Sequence, residues 1–496
     1  MDGALEPDGS GARLIKGSTA LGDWIRMSVA HDLLDSSPGG GWTPSAIRYV
    51  TDVSYVANFT AELMPEWLDL VAVICGYAPP PREAGIAWCE LGCGQGIAPI
   101  VCAATHLDGN FHGIDVMPDH IARGRQIAAR AGIPNLEFHA LDFASALTLD
   151  LPKFHYIVTH GVYAWVDDQA TAALRRFIDR HLAPGGLVYV SYNAMPGWAA
   201  DGPFQHLLNA LAETEAGDSI ARFTGAAAVT NALRDAGAAA LTASPTAVNF
   251  AAEQKERPLN YFVHEFLAPA WRPRYVDEVR REMAEIGLSP VGSATLRDNF
   301  DSFVLRAAAR EAVAKIADPD RRELARDYFK LQRFRRDVYG RAPQAIDDDE
   351  RRERLYAFTF ALMHPISLVE YKMGTEAGDL TFDNPVARKL VAQLAEGPRR
   401  LADCLEPGDS AQDVLANMLT LCCAGLVRPV ASQAAAVERV NAALLEAYDG
   451  PGEATFRVFP RGPAMKISAQ VLTDWRDGKA PPEKAAPWID FLQRSV

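Results

Sequence analysis

At 496 residues, 49% hydrophobic and 23% charged, the chain is too long for one ordinary core and too apolar to be disordered or fibrous. Its net charge of −14 argues against a protein whose main task is gripping nucleic acid through phosphates, so no nucleic-acid partner is expected. The seven cysteines contain no C-x-x-C and no zinc spacing, so no metal is expected and a reducing, cytoplasmic setting fits.

Residues 1–45 are rich in Gly, Ser and Pro and read as a flexible segment, with one short amphipathic helix in ALGDWIRMSVAHDLL. No basic start followed by an apolar core marks a secretory signal, and no apolar run matches a membrane span, so no membrane insertion is expected. Over 46–200 the pattern alternates. AWCEL, NFHGIDV, NLEFHAL, HYIVTHG and GLVYVSYN read as short buried strands, and helical apolar spacing begins at Ile97, Pro118 and Thr171. This alternation predicts an α/β fold, a parallel sheet with helices on both faces.

Residues 201–345 read as a helical insertion followed by further elements. Within them, 272–308 offers a charged helix running into a strand (RPRYVDEVRREMAEIGLSPVGSA) and a second strand in FDSFVLRAA; the pair is suited to complete the sheet. The stretch 318–342 reads as one more helix, with Arg333, Arg335, Arg336 and Arg341 on a solvated face, docking an acidic partner, or bridging to the catalytic domain. Residues after about 310 are expected to form a separate, mostly helical unit outside the sheet, and DDDERRER reads as a mobile joint. In 346–496, short helices from Asn384 lead into AGLVRPV, an order that suits a small winged-helix-like segment.

The stretch CELGCGQG carries the chemistry. Gly92, Gly94 and Gly96 directly follow a strand, where ligands sit in a doubly wound sheet. A dinucleotide site would want G-x-G-x-x-G, but Ile97 holds its last position. Glu90, just before the turn, suits a cationic ligand rather than a diphosphate. Asp115 ends the next strand, where an acid accepts bonds from ribose hydroxyls, and Asp142 follows the third, placed for an adenine amine. Together these point to S-adenosyl-L-methionine (AdoMet) as cofactor and its demethylated form, S-adenosyl-L-homocysteine, as product. Cys93, Val116, Phe143 and His160 are counted as the neighbours that complete that site.

YVTDVSYVANFTAELMPEWLDLVA, CELGCGQG, THGVYAWV, PGGLVYVSYNAMPGW, NYFVHEFL and RFRRDVYGR resemble class I AdoMet-dependent methyltransferases that carry a methyltransferase regulatory domain. The resemblance covers roughly 48–430 and implies a Rossmann-like methyltransferase sheet, a regulatory domain within 201–345, and methyl transfer, with a protein lysine as acceptor in the best understood relatives. The N-terminal block departs from the Pro/His-rich pattern of those lysine enzymes, so a small molecule or sugar stays open as acceptor. So does a regulator that senses AdoMet.

On this reading the acceptor meets the methyl group beyond the central strands. His160, Tyr192 and Asn193 are the expected catalytic residues, His160 either as base or as a loop-orienting group. Tyr163 and Trp165 either line the acceptor channel or pack beneath the next helix. Tyr55 and Phe59 either cover the cofactor or pack within a helix.

Overall fold

Five strands pair in parallel, with the central β1, β4 and β5 largely buried and β3 at the sheet edge: β1 (Ala87–Leu91), β2 (Asn110–Asp115), β3 (Leu136–Ala140), β4 (Phe154–Thr159) and β5 (Leu182–Asn193). The structure is a computed structural model that describes residues 50, 52–82, 85–448, 454–480 and 483–494. The flexible segment expected over 1–45, with its short helix, lies outside the described residues.

α1 (Pro65–Ile74) precedes the sheet, and the crossovers are α2 (Ile97–Thr105), α3 (Pro118–Ala131), α4 (Phe143–Ala146) and α5 (Asp168–His181). Local chemistry sets their ends. Pro118 opens α3 with φ already helical, Gly132 closes it at φ 69°, and the Asp167 carboxylate accepts the Ala170 N–H to start α5. α1, α2 and α3 cover one face of the sheet around Trp67, Trp88 and Phe111; α5 covers the other around Leu174, Phe177 and Tyr192.

An insertion follows: α6 (Gly202–Thr214), α7 (Ser219–Asp235), α8 (Ala239–Thr242), α9 (Pro245–Glu256) and α10 (Leu259–Phe266). Its helices close on a phenylalanine core of Phe204, Phe223, Phe250, Phe262 and Phe266. The chain then returns through α11 (Val276–Ala284) into β6 (Leu288–Ser293), the expected helix and strand.

The second returning strand lies elsewhere than expected. FDSFVLRAA follows a 3-10 turn (Leu296–Asn299) and forms α12 (Asp301–Val304) and the start of α13 (Ala307–Ala314), with α14 (Pro319–Lys330) beyond. α14 ends where Leu331 turns left-handed at φ 47°, and Phe334–Arg341 becomes β7, antiparallel between β5 and β6. The order is therefore β3-β2-β1-β4-β5-β7-β6, and residues beyond 310 do continue the sheet. The reason is that the charges of this stretch are paired inside the fold, so the basic run is not solvated. Arg335 is buried and bridges Glu323, Asp327 and Asp337; Arg333 pairs with Asp201 and Arg341 with Asp179.

DDDERRER forms α15 (Asp348–Ala357) rather than a joint, because the Asp347 side chain caps the N–H groups of Asp349 and Glu350. Beyond it come β8 (Thr359–Leu362), the hairpin β9 (Lys372–Thr375) and β10 (Gly378–Thr381), α16 (Pro385–Ala395), β11 (Arg399–Arg400), α17 (Ala411–Cys423) and β12 (Val427–Val430). β11, β8 and β12 make a small antiparallel sheet beside α16 and α17. α18 (Glu438–Ala447), the hairpin β13 (Ala454–Val458) and β14 (Ala464–Ser468), α19 (Ala469–Arg476) and α20 (Ala486–Arg494) complete the described chain. One apolar core runs from Trp67 and Trp88 through Leu390 and Leu421 to Phe456, so these later elements pack on the α1 face. Among the described residues, no helix is long and apolar enough to cross a membrane.

Candidate active site

The strand order reverses between β1 and β4, and the glycine turn sits at that point, outside the C-terminal end of β1. Gly92 (φ 78°) donates its N–H to the Ile114 carbonyl at 2.7 Å, and a Cβ there would meet Val162 at 2.4 Å. Gly94 (φ 52°) is different, since nothing lies within 4 Å of the place its Cβ would occupy. The turn is thus closed beneath Gly92 and open above Gly94. Gly96 lies against the Phe138 ring at the start of α2, and Cys93 is buried beside it.

Asp115 ends β2 with its carboxylate turned to the glycine loop. Oδ2 accepts the Gly94 N–H at 2.8 Å and Oδ1 accepts the Met117 N–H at 2.9 Å, which leaves lone pairs for further donors. Glu90 faces the same side of the sheet, is buried, and its Oε2 has no hydrogen-bond partner. Burial first, and the nearby Asp115 charge second, push its pKa up to about 8. A cation beside it would favour the ionised form. Asp142 is exposed after β3 and accepts the Ser145 N–H at 2.6 Å, while Val116 and Phe143 are half-buried nearby in sequence.

Three distant segments meet at the glycine loop. The Gln95 side chain donates to the Tyr55 carbonyl at 2.8 Å and accepts from the Tyr448 hydroxyl at 2.8 Å. The Tyr55 ring meets His264 of α10 edge-on at 5.1 Å. Glu265, next along α10, is half-buried, and burial pushes its pKa up to about 7.

Beyond β4, His160 Nδ1 lies 2.8 Å from the Tyr189 hydroxyl and 3.2 Å from Ser191 Oγ, which also accepts the Gly161 N–H. Burial, reinforced by Arg336, lowers the His160 pKa to about 4, so the imidazole is neutral at pH 7. Asn193 is buried on the same face, its Nδ2 without a hydrogen-bond partner, and β7 supplies Phe334 and Arg336 beside it. His160 and Asn193 therefore share a polar face of Tyr189, Ser191 and Arg336.

Three of the expected residues are not part of that face. Tyr192 neighbours Asn193 on a strand and so points the opposite way. It is fully buried in the α5 core, where its hydroxyl donates to Asp337 at 2.7 Å. Tyr163 lies in the same core with its hydroxyl on Glu282. Trp165 packs there too, its ring 6.3 Å from Trp271. Sequence reasoning missed Tyr189 and Ser191, and it read Arg336 as part of the basic run rather than of this face. Alternation along GLVYVSYN would have joined the first two to Asn193. On the far face of the sheet from Asp115, His112 and His139 stack with Nδ1 and Nε2 3.2 Å apart beside an exposed Glu137, a trio with metal-compatible spacing that no sequence motif marks.

The fold and this site define the class. A seven-stranded sheet with an antiparallel β7, a glycine turn after β1 and acids at successive strand ends make a methyl-transfer scaffold. The chain matches the family described as a methyltransferase domain over residues 82–237, and the predicted methyltransferase regulatory domain over 258–341. The latter runs to the last residue of β7, so the regulatory region includes the two strands that complete the sheet. Uncharacterized protein sll1526 of Synechocystis sp. is 32% identical over 371 residues, 75% of this chain and 73% of that protein. The chain belongs to this family of class I AdoMet-dependent methyltransferases with a regulatory domain. PKMT2 from Rickettsia typhi, solved in complex with AdoHcy, shares the fold with a TM-score of 0.63 at 18% identity, over 89% of this chain and 90% of that one. A shorter stretch of 132 residues, 27% of this chain and 46% of the relative, is 33% identical to trans-aconitate 2-methyltransferase of Methylobacterium radiotolerans.

Proposed function

We propose that the enzyme methylates a lysine side chain of a protein, with AdoMet held at Glu90, the Gly92–Gly96 turn and Asp115. The observation that supports the protein acceptor is the extent of the shared fold with PKMT2, which takes in the regulatory region and later elements as well as the sheet. The residues fit the cofactor. Glu90 has an unpartnered buried oxygen for a cationic group, and Gly94 leaves the space that a side chain would fill. Asp115 keeps lone pairs for ribose hydroxyls, and Asp142, Val116 and Phe143 are proposed to border the adenine.

When bound, AdoMet supplies a methyl group activated by the sulfonium charge. The chain's own residues then align the acceptor and exclude water. A lysine amine, which in water holds its proton up to a pH of about 10.4, must lose it first. His160, lowered to about 4, is poorly matched to take it, and its bonds to Tyr189 and Ser191 suit orientation instead. Asn193 is proposed to offer its amide to the acceptor. Seven cysteines without a disulfide, five of them buried, support a cytoplasmic location.

The stretch shared with trans-aconitate 2-methyltransferase favours a second reading, a small carboxylic acid as acceptor. A lysate incubated with the enzyme and methyl-labelled AdoMet separates the two. Label on protein lysines supports the proposal, and label confined to the small-molecule fraction overturns it.

A further inference from the structure

Outside the site described above, a cavity of about 660 Å³ opens between the segment leading to α1 and the C-terminal elements. Phe59 and Glu62 wall it on one side, Arg428 of β12 and Lys466 of β14 on another, and Lys484 and Trp488 at the start of α20 on a third. Its volume suits a segment of a few residues. Among the described residues, its lining holds three basic side chains, Arg428, Lys466 and Lys484, against the single carboxylate of Glu62, in a chain whose net charge is −14.

That one carboxylate is already engaged. Glu62 Oε1 lies 3.2 Å from Arg428 Nη2, and the Arg428 guanidinium rests 4.7 Å from the Trp67 ring centroid, which holds it in place. Arg428 Nη1 is buried and makes no hydrogen bond. Lys466 Nζ reaches only the Ala57 carbonyl, at 3.5 Å, and no carboxylate among the described residues pairs with Lys466 or Lys484. Basic side chains between the apolar walls supplied by Phe59 and Trp488 suit carboxylates on an apolar stem.

The cavity also adjoins the chemistry. Arg428, the partner of Glu62, rests on the Trp67 ring; the Trp67 indole N–H donates to the Ala294 carbonyl at 2.8 Å and the Ala294 N–H to the Arg336 carbonyl at 2.8 Å, so direct contacts link the cavity wall to the polar face. We propose that the cavity binds an acidic segment of the polypeptide substrate, flanking the lysine to be methylated. The assignment deepens the protein-lysine reading and rests on it. Asp or Glu side chains of that segment would meet Arg428, Lys466 and Lys484, while its apolar residues would lie on Phe59 and Trp488.

The test has two arms, both with the full chain. In the first, fluorescein-labelled peptides without lysine, carrying Asp/Glu, Ser/Ala or Arg at equal length, are titrated and followed by anisotropy. The acidic peptide is expected to bind at least about tenfold more tightly than the basic one, and Lys466→Glu with Lys484→Glu to invert that order. Both lysines are exposed at the rim, so a melting curve matching the parent checks that the fold is kept. Equal binding of all peptides, or citrate binding as tightly as the acidic peptide, would overturn the assignment. In the second arm the same flanks are placed beside one lysine and labelled AdoMet is added. A KM lowered by at least about tenfold for the acidic flank supports the proposal. Acidic peptides that bind in the first arm but are never methylated at lysine would reject the lysine acceptor and show that the cavity does not serve it.

Discussion

Glu90 is the residue at which the charge of the ligand becomes measurable. Its pKa is raised from 4.5 to about 8, so in the ligand-free chain it carries a proton at pH 7. A cation at its carboxylate favours the ionised form, so AdoMet binding is expected to release a proton. Affinity should rise about tenfold per pH unit between roughly 5 and 8, then level off. Calorimetry in buffers of different ionisation enthalpy reads the proton directly, and a flat pH profile for the parent chain would contradict the assignment. Glu90→Gln should flatten the profile. The same shift bears on stability with the opposite sense. The folded form holds the Glu90 proton more tightly than the unfolded one, so this contribution is full below about 4.5 and is lost as pH rises through about 8. Saturating AdoMet should remove that alkaline loss. At Gly94 the argument is steric. Valine would put its side chain into the open space above the turn, at a backbone angle of φ 52° that β-branched residues avoid. Gly94→Val should abolish AdoMet binding by calorimetry while near-native circular dichroism persists.

At the level of single elements, β5 sorts its residues by face. Tyr189, Ser191 and Asn193 look toward α1, while Val190 and Tyr192 look into the α5 core. Asn193→Ala should therefore lower turnover by at least roughly tenfold with AdoMet affinity nearly intact, the signature of lost alignment. Tyr192→Phe should instead cost about 1–3 kcal/mol of stability, from the lost bond to the Asp337 carboxylate, with turnover close to the parent. A tenfold loss of turnover in Tyr192→Phe at unchanged stability would restore it to the site. What was legible beforehand follows the same lines. The glycine turn, the first five strands and the acids at their ends could be read because their signals are local: apolar runs, turn residues and helix starts. β7 could not, because its buried residues include Arg335 and Asp337: Arg335 pairs with Glu323 and Asp327 on α14 and with Asp337, which also accepts the Tyr192 hydroxyl. A charged strand neutralised by partners on another element looks like a surface helix in sequence. Placing Tyr192 and Asn193 in one pocket failed for a simpler reason, since neighbours on a strand cannot face the same way. The Arg335 network gives its own test: Arg335→Met leaves three carboxylates around an uncharged stem and should destabilise the chain by about 3–5 kcal/mol in urea titration.

Across the whole molecule, the glycine loop is held by parts of the chain hundreds of positions apart. Gln95 grips the Tyr55 carbonyl upstream and the Tyr448 hydroxyl just beyond α18, while Arg123 of α3 rests 4.5 Å from the Tyr448 ring centroid. α18 lies along α3, where Arg130 pairs with Glu446 at 2.8 Å. The last third of the chain thus braces the loop that the cofactor must contact, which gives these C-terminal elements a physical route to the site. If the bracing matters, ligand and brace stabilise one another, because each pays less ordering entropy once the other is in place. Hydrogen exchange should then slow on AdoMet addition in three separate places: around Tyr55, in the glycine turn and across α18. Tyr448→Phe keeps the ring over Arg123 but removes the hydroxyl bond to Gln95. It should weaken AdoMet binding by about three- to tenfold, the worth of one hydrogen bond, and uncouple the slowing in α18 from that in the turn. Slowing confined to the turn in the parent chain would show that the distant segments only cover the site and do not respond to it.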